Sequence, residues 1–305
     1  MALNCISDIC GFGKFTKVEP VNKGWSEDEK YYIEAEDKSK LLLRVSKPCE
    51  YERKKYEFEM MRRIFALDIP MNEPLDFGFC RGGKNVYSLF TWCEGEDSAE
   101  VLPVLAEEKQ YRLGLNAGEI LRKIHSSPAP ESRGDWAIYF NRKIDARVRN
   151  YHACGLTFEG ADKLIEYVES NRQLLNSRPQ CLQHGDYHVG NIVISPSNEL
   201  SIIDFNRLDY GDPWEEFNRM VWSAKVSPHF ATGLLKGYFS GERSEEFFKL
   251  MAFYIAANTI GSLPWAVPFG QKEIDTMLEQ AKDVLCWYDN MQNSIPSWYI
   301  GDILI

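Results

Sequence analysis

No C-x-x-C pair occurs among the eight cysteines, which stand at 5, 10, 49, 80, 93, 154, 181 and 286. That spacing removes the usual signature of a zinc ribbon or dithiol centre and leaves free thiols as the simplest account. The chain also begins without the basic and apolar regions of a secretory signal, so a reducing, cytoplasmic setting is expected. Basic residues are the minority, 35 Lys and Arg against 45 Asp and Glu. A net charge of -10 argues against nucleic acid as a partner, because phosphate backbones are bound by clustered cations. A polycationic small molecule suits such a surface better. Internal repeats, low-complexity linkers and disorder-like tracts are absent, and nothing marks an obligate protein partner. One long run lacks charge altogether: residues 250–269 have the length of a membrane span. It carries Asn258, Thr259, Gly261, Ser262, Pro264 and Pro268, so it reads as a buried helix running into a loop, with no membrane partner.

What the sequence has is concentrated between Cys181 and Phe217, CLQHGDYHVGNIVISPSNELSIIDFNRLDYGDPWEEF. Ile192 to Ile194 and Leu200 to Ile203 are β-rich, and Ser195 to Glu199 has turn composition, so the segment predicts a hairpin. A hairpin returns its chain to where it began. Asn191, just before the first strand, and Asp204, just after the second, then flank its open end and offer oxygen to a hard cation such as Mg²⁺. Asp186 lies five residues before Asn191 in a loop made irregular by Gly185 and Gly190. It is placed to orient an attacking hydroxyl and accept its proton while Asn191 and Asp204 hold metal on phosphates. His184 and His188 are four apart, but the glycines discourage the helix a zinc pair would need. His184 reads instead as a structural tie for the loop. Asp212, before Pro213, reads as a helix cap rather than a ligand contact.

The H-x-D-x-x-x-x-N followed by an Asp-Phe pair resembles the catalytic and metal loops of protein-kinase-like enzymes. With the later G-D-P-x-x-E it is similar, more narrowly, to the aminoglycoside phosphotransferase family of small-molecule kinases. The resemblance implies an α+β, bilobal kinase-like fold. Residues 1–93 would form an antiparallel-sheet lobe with one main helix, and residues 94–305 a mostly helical lobe carrying the catalytic hairpin.

Taken in order, Met1 to Phe15 predicts an N-terminal helix or arm, and Gly11-Phe12-Gly13-Lys14 is too short for a Walker A loop. Strands are expected at Thr16 to Pro20, Lys30 to Glu34 and Lys40 to Val45. Asn22 to Ser26 between the first two is either an ordinary turn or a loop over nucleotide phosphates. Alternation in the third strand puts Leu42 and Arg44 on one face and Leu41, Leu43 and Val45 on the other. Arg44 stands where the resembled family carries Lys, a change of geometry that keeps the charge. Glu57, on the helix Tyr51 to Phe65, is by the same resemblance its partner. Strands at Gly78 to Arg81 and Asn85 to Trp92 lead to a hinge, where the family's backbone readout of a purine implies Thr91, Trp92 and Cys93, with Phe90 behind. Helices are expected at 113–124, 141–151, 160–175, 214–222, 228–238, 245–260 and 272–290.

The resemblance implies a phosphotransferase that moves the γ-phosphate of ATP or GTP, with Mg²⁺, to a hydroxyl of a small molecule. An aminoglycoside is the first expectation, and antibiotic resistance would follow; the nearby acids Asp209, Glu215 and Glu216 suit it. A macrolide, choline, homoserine, sugar or glycated-amine kinase stays open, as does a kinase-like binding protein without turnover.

Overall fold

The computed structural model describes residues 7–9, 11–22, 27–241 and 243–301. Its contacts divide the chain into two compact units. One holds residues up to Glu96 together with Ile192–Leu208, the other Asp97–Asn191 with the chain from Asp209 onward.

The first unit begins with β1 (Phe15–Pro20), β2 (Glu29–Ala35), β3 (Lys40–Ser46), α1 (Tyr51–Phe65), β4 (Pro74–Cys80) and β5 (Asn85–Thr91). The strands form one antiparallel sheet in the order β1-β2-β3-β5-β4. The two-residue alternation of β3 is realised: Leu41, Leu43 and Val45 join Ile33, Tyr87 and Leu89 in a core on one face. On the opposite face Arg44 is half-buried, and α1 packs Phe58 against Phe77 and Phe90. Of the stretch expected as an N-terminal helix or arm, the described part holds a short 3-10 turn, Phe12–Lys14, entered through Gly11 at φ 82°. Residues 1–6 of that expected helix and residues 23–26 of the candidate phosphate loop lie outside the described residues.

β6 (Glu96–Asp97) carries the chain into the second unit, with α2 (Ser98–Val101), α3 (Glu107–Ile124), α4 (Trp136–Ala153), α5 (Ala161–Ser170) and β7 (Cys181–Gln183). β8 (Ile192–Ile194) and β9 (Leu200–Ile202) form the predicted hairpin, with Ile192 opposite Ile202. The hairpin belongs to the first unit, not to a contiguous second lobe starting at 94. The Ile202 amide donates to the Pro70 carbonyl at 2.8 Å, and Ile202 bridges Met71. β10 (Asp209–Gly211) then pairs with β7. α6 (Met220–Val226), α7 (Pro228–Phe239), α8 (Glu245–Ala266) and α9 (Gln271–Trp287) complete the second unit.

Glycine decides how closely α3 and α7 approach. A Cβ at Gly118 would lie 2.1 Å from the Leu234 carbonyl oxygen, and one at Gly237 would lie 2.0 Å from that of Leu115. α8 is apolar and long enough to span a membrane, yet it is largely buried among α4, α5 and α9. The uncharged run is thus a core helix. It continues through Pro264 to Ala266 instead of breaking there. The helix expected at 214–222 is split into a 3-10 turn, Glu215–Arg219, followed by α6.

Candidate active site

The loop from His184 to Asn191 is held by groups buried in the second unit. His184 is fully buried, and its Nδ1 accepts the Asp186 amide at 3.2 Å. Gly185 takes φ 81°, a left-handed conformation that glycine adopts without a Cβ penalty. The Glu216 carboxylate accepts the Gly185 amide at 3.0 Å and the Tyr187 amide at 3.1 Å. Burial alone would raise the Glu216 pKa, but His125, His184 and the Gly185 amide outweigh it and hold the group below the usual carboxylate range. Tyr187 donates its hydroxyl to the Ala117 carbonyl. Asn191 Nδ2 donates to the Asp186 carbonyl at 2.8 Å, leaving its Oδ1 turned the other way. The Asp186 carboxylate lies 3.0 Å from Arg219 Nε and 3.6 Å from His188 Nε2.

The acids expected near the acceptor have partners within the chain. Glu216 is buried and accepts two amides of the loop. Glu215 accepts from Lys143 at 3.3 Å and from Gln183 at 3.4 Å, while Asp209 is paired with Arg133 at 2.7 Å. Each of the three acids is bonded within the chain, and Asp209 keeps half of its side chain exposed. Asp212 is fully buried; it accepts from Arg178, from the Tyr254 hydroxyl and from the Trp214 amide. It caps the Trp214 turn and anchors a network, so its role is structural.

In the first unit, Arg44 Nε and Nη2 both bond Asp28 Oδ2, at 3.1 and 2.8 Å, and Nη1 lies 3.3 Å from Asp204 Oδ1. Lys54 Nζ reaches the same Asp28 oxygen at 2.8 Å, and Ser46 Oγ donates to the other at 2.7 Å. Glu57, expected to partner Arg44, instead carries its ion pairs with Arg53 and Lys54 of its own helix. The reason is reach: positions three and four apart on a helix already meet. Sequence reasoning missed Asp28, Lys54 and Lys30. Helical spacing to Glu57 marks Lys54, and strand register marks Lys30, which sits directly opposite Arg44. Asp28, on a loop, carries no such signal. Burial and the neighbouring Arg44 push the Lys30 pKa down, against the pull of Asp204 and Asp28.

Asp28 opens onto a cleft of about 550 Å³ whose wall also carries Arg44, Lys47, Arg53, Lys54 and Arg207. Phe90 and Phe205 line a smaller recess behind Arg44. At the expected hinge, the Thr91 amide donates to Glu73 and the Trp92 amide to Lys40, while the Thr91 carbonyl accepts from Asn72. Among the described residues, Cys93 alone of the three keeps its amide outside such bonds.

Asp204 holds φ 65°, an uncommon backbone state for a non-glycine residue, next to the fully buried Phe205. Its half-exposed carboxylate is a hard oxygen donor of the kind Mg²⁺ takes. No group of three or more His, Cys, Asp or Glu suited to a metal cage occurs among the described residues.

Comparison with known proteins places this geometry. A choline/ethanolamine kinase family protein from Mesorhizobium loti is 16% identical with a TM-score of 0.68, covering 98% of each chain. An aminoglycoside phosphotransferase, APH(4)-Ia, is 16% identical with a TM-score of 0.66, covering 90% of this chain and 95% of the other. At such identity the likeness concerns the fold, which is the kinase-like α+β one expected. Acyl-CoA dehydrogenase family member 11 of Mus musculus is 22% identical over 168 residues, 52% of this chain but only 21% of that protein. The profile of the phosphotransferase enzyme family matches residues 17–248, from β1 into α8, and the chain belongs to that family.

Proposed function

We propose that the protein transfers the γ-phosphate of ATP or GTP to a hydroxyl of a small molecule, with Asp186 orienting that hydroxyl and receiving its proton. The observation that carries this reading is the preset loop. His184, Glu216 and Asn191 fix the backbone on both sides of Asp186, and positioning supplies most of the catalysis in phosphoryl transfer. Asn191 and Asp204 are the magnesium ligands; the ion, when bound, neutralises charge on the phosphates. Arg44 and Lys54 supply fixed positive charge to the nucleotide, with Lys30 behind Arg44 on the same face of the sheet. The Cys93 amide is the hinge donor that remains open to a purine, and Phe90 backs it.

Structural relatives include a complex of APH(4)-Ia with ADP and hygromycin B and one of APH(2")-IIa with gentamicin. They support nucleotide-dependent transfer. An aminoglycoside is the acceptor they favour, while the choline/ethanolamine kinase relative favours a smaller one.

The test is nucleotide binding and consumption by the purified protein with Mg²⁺. Asp186→Asn should lower turnover by about 10³-fold or more with nucleotide Kd nearly unchanged. Unaltered turnover in that variant would remove Asp186 from the chemistry, and failure of the wild-type protein to bind Mg²⁺-nucleotide would leave only a binding role.

A further inference from the structure

Lys143, Glu215, Arg147, Arg219 and Asp186 form a run of charged neighbours in the second unit, three cations to two carboxylates. Lys143 is bonded to Glu215 and Arg219 is paired with Asp186. Among the described residues that leaves Arg147, on α4, with no carboxylate of its own. Its one polar bond is from Nη2 to the Asn258 amide oxygen on α8, at 3.3 Å. Nη1 is closed off from solvent and has no hydrogen-bond partner. The guanidinium lies 5.8 Å from the Phe140 ring centroid, and the stem packs on Gly261, where a Cβ would come within 2.9 Å of Arg147 Cγ.

A desolvated guanidinium without an anion is costly, and such a group is retained where a ligand completes it. Burial works against its charge, and the electrostatic neighbours that act on it are Glu215, which favours the charge, and Arg219 with Tyr139. Glu215 Oε1 accepts from Lys143 at 3.3 Å and Oε2 from Gln183 at 3.4 Å. Arg219 repels Arg147 and at the same time touches Asp186, which links the unmatched cation to the catalytic carboxylate.

Resting on the kinase reading, we infer that the acceptor is an anionic hydroxy compound, whose carboxylate or phosphate pairs with Arg147 and Arg219 while its hydroxyl meets Asp186. A polycation would add like charge to this surplus, and the acids that would have received it are bonded within the chain. The glycine at 261 is part of the arrangement, since it leaves the room on α8 into which the arginine stem folds.

The experiment compares glycerate (a carboxylate), glycerol 3-phosphate (a phosphate), and kanamycin and choline (cations) as acceptors for Mg²⁺-ATP and Mg²⁺-GTP. Acceptor-induced thermal shifts are recorded in parallel. One or more of the anionic probes should drive turnover or shift the melting temperature, and the carboxylate and phosphate arms identify the group. Arg147→Met, which keeps the stem and removes the charge, should raise the acceptor KM on the order of 100-fold and leave nucleotide Kd unchanged. Arg147→Lys should recover part of the loss. Arg147→Met should also be no less stable than wild type, because it removes an uncompensated charge; this separates lost recognition from lost folding. Preference for kanamycin or choline, no response to any anionic probe, or an Arg147→Met variant with wild-type KM would each overturn the inference. The kinase reading is judged separately, by Mg²⁺-nucleotide binding and the Asp186→Asn variant.

Discussion

Asp28 is gripped by Arg44, Lys54 and Ser46 at once. Burial would raise its pKa, but Arg44 and Lys54 prevail and hold it well below the usual carboxylate range. A carboxylate whose folded pKa is depressed contributes stability above its unfolded pKa and loses that contribution as pH falls. Asp28→Asn should therefore cost about 3 kcal/mol near pH 7, and its melting temperature should begin to approach that of wild type below about pH 4 and go on doing so as pH falls toward the depressed folded pKa. A thermal melt series across pH checks this; parallel curves would mean the clamp contributes nothing. The thiols form a second residue-scale set. Burial pushes Cys80 and Cys93 up to about 11 and raises Cys181 further, whereas Cys49 and Cys286 are exposed. Alkylation of the native protein at pH 7.5 should label Cys49 and Cys286 first and the buried Cys80 and Cys181 only on unfolding, as read by mass spectrometry. The loop around Asp186 and the hairpin between Asn191 and Asp204 were legible in the sequence because one short segment carries their glycines, strands and turn. Asp28 was not, because its partners at 44, 46 and 54 are brought to it by tertiary folding. The partners of the acids were hidden for a related reason. A sequence shows that Glu215 and Glu216 are charged but not that Lys143 and backbone amides already answer them.

At the scale of elements, the strands and α1 emerged nearly as expected, since a period of two or 3.6 is written into β3 and the Tyr51–Phe65 stretch. Boundaries departed where side chains compete with the helix. Asn218 donates to the Glu215 carbonyl, and the turn after Asp212 tightens into a 3-10 form. The contact of α3 with α7 makes a demand that periodicity alone does not reveal. Gly118→Ala must push a methyl group into the Leu234 carbonyl and should cost about 3 kcal/mol. Gly241→Ala meets nothing within 4 Å and should stay within about 0.5 kcal/mol of wild type. Urea unfolding midpoints of the two variants would decide it, and equal midpoints would show that the helices separate at little cost.

At the scale of the molecule, the expected α+β kinase-like fold is present, but the boundary between its parts is not one cut in the chain. The backbone passes between the units after Glu96, after Asn191 and again after Leu208. A polypeptide of residues 1–96 lacks the hairpin whose Ile202 is fully buried and bonded to Pro70. Such a fragment should unfold without a cooperative transition, and joining Ile192–Leu208 to it through a flexible linker should restore one; calorimetry of the two polypeptides makes the comparison. The same threading bears on ancestry and engineering. A chimera with another member of the family must exchange two separated stretches together, because a single crossover would inherit Asp204 from one parent and the sheet that carries Arg44 from the other.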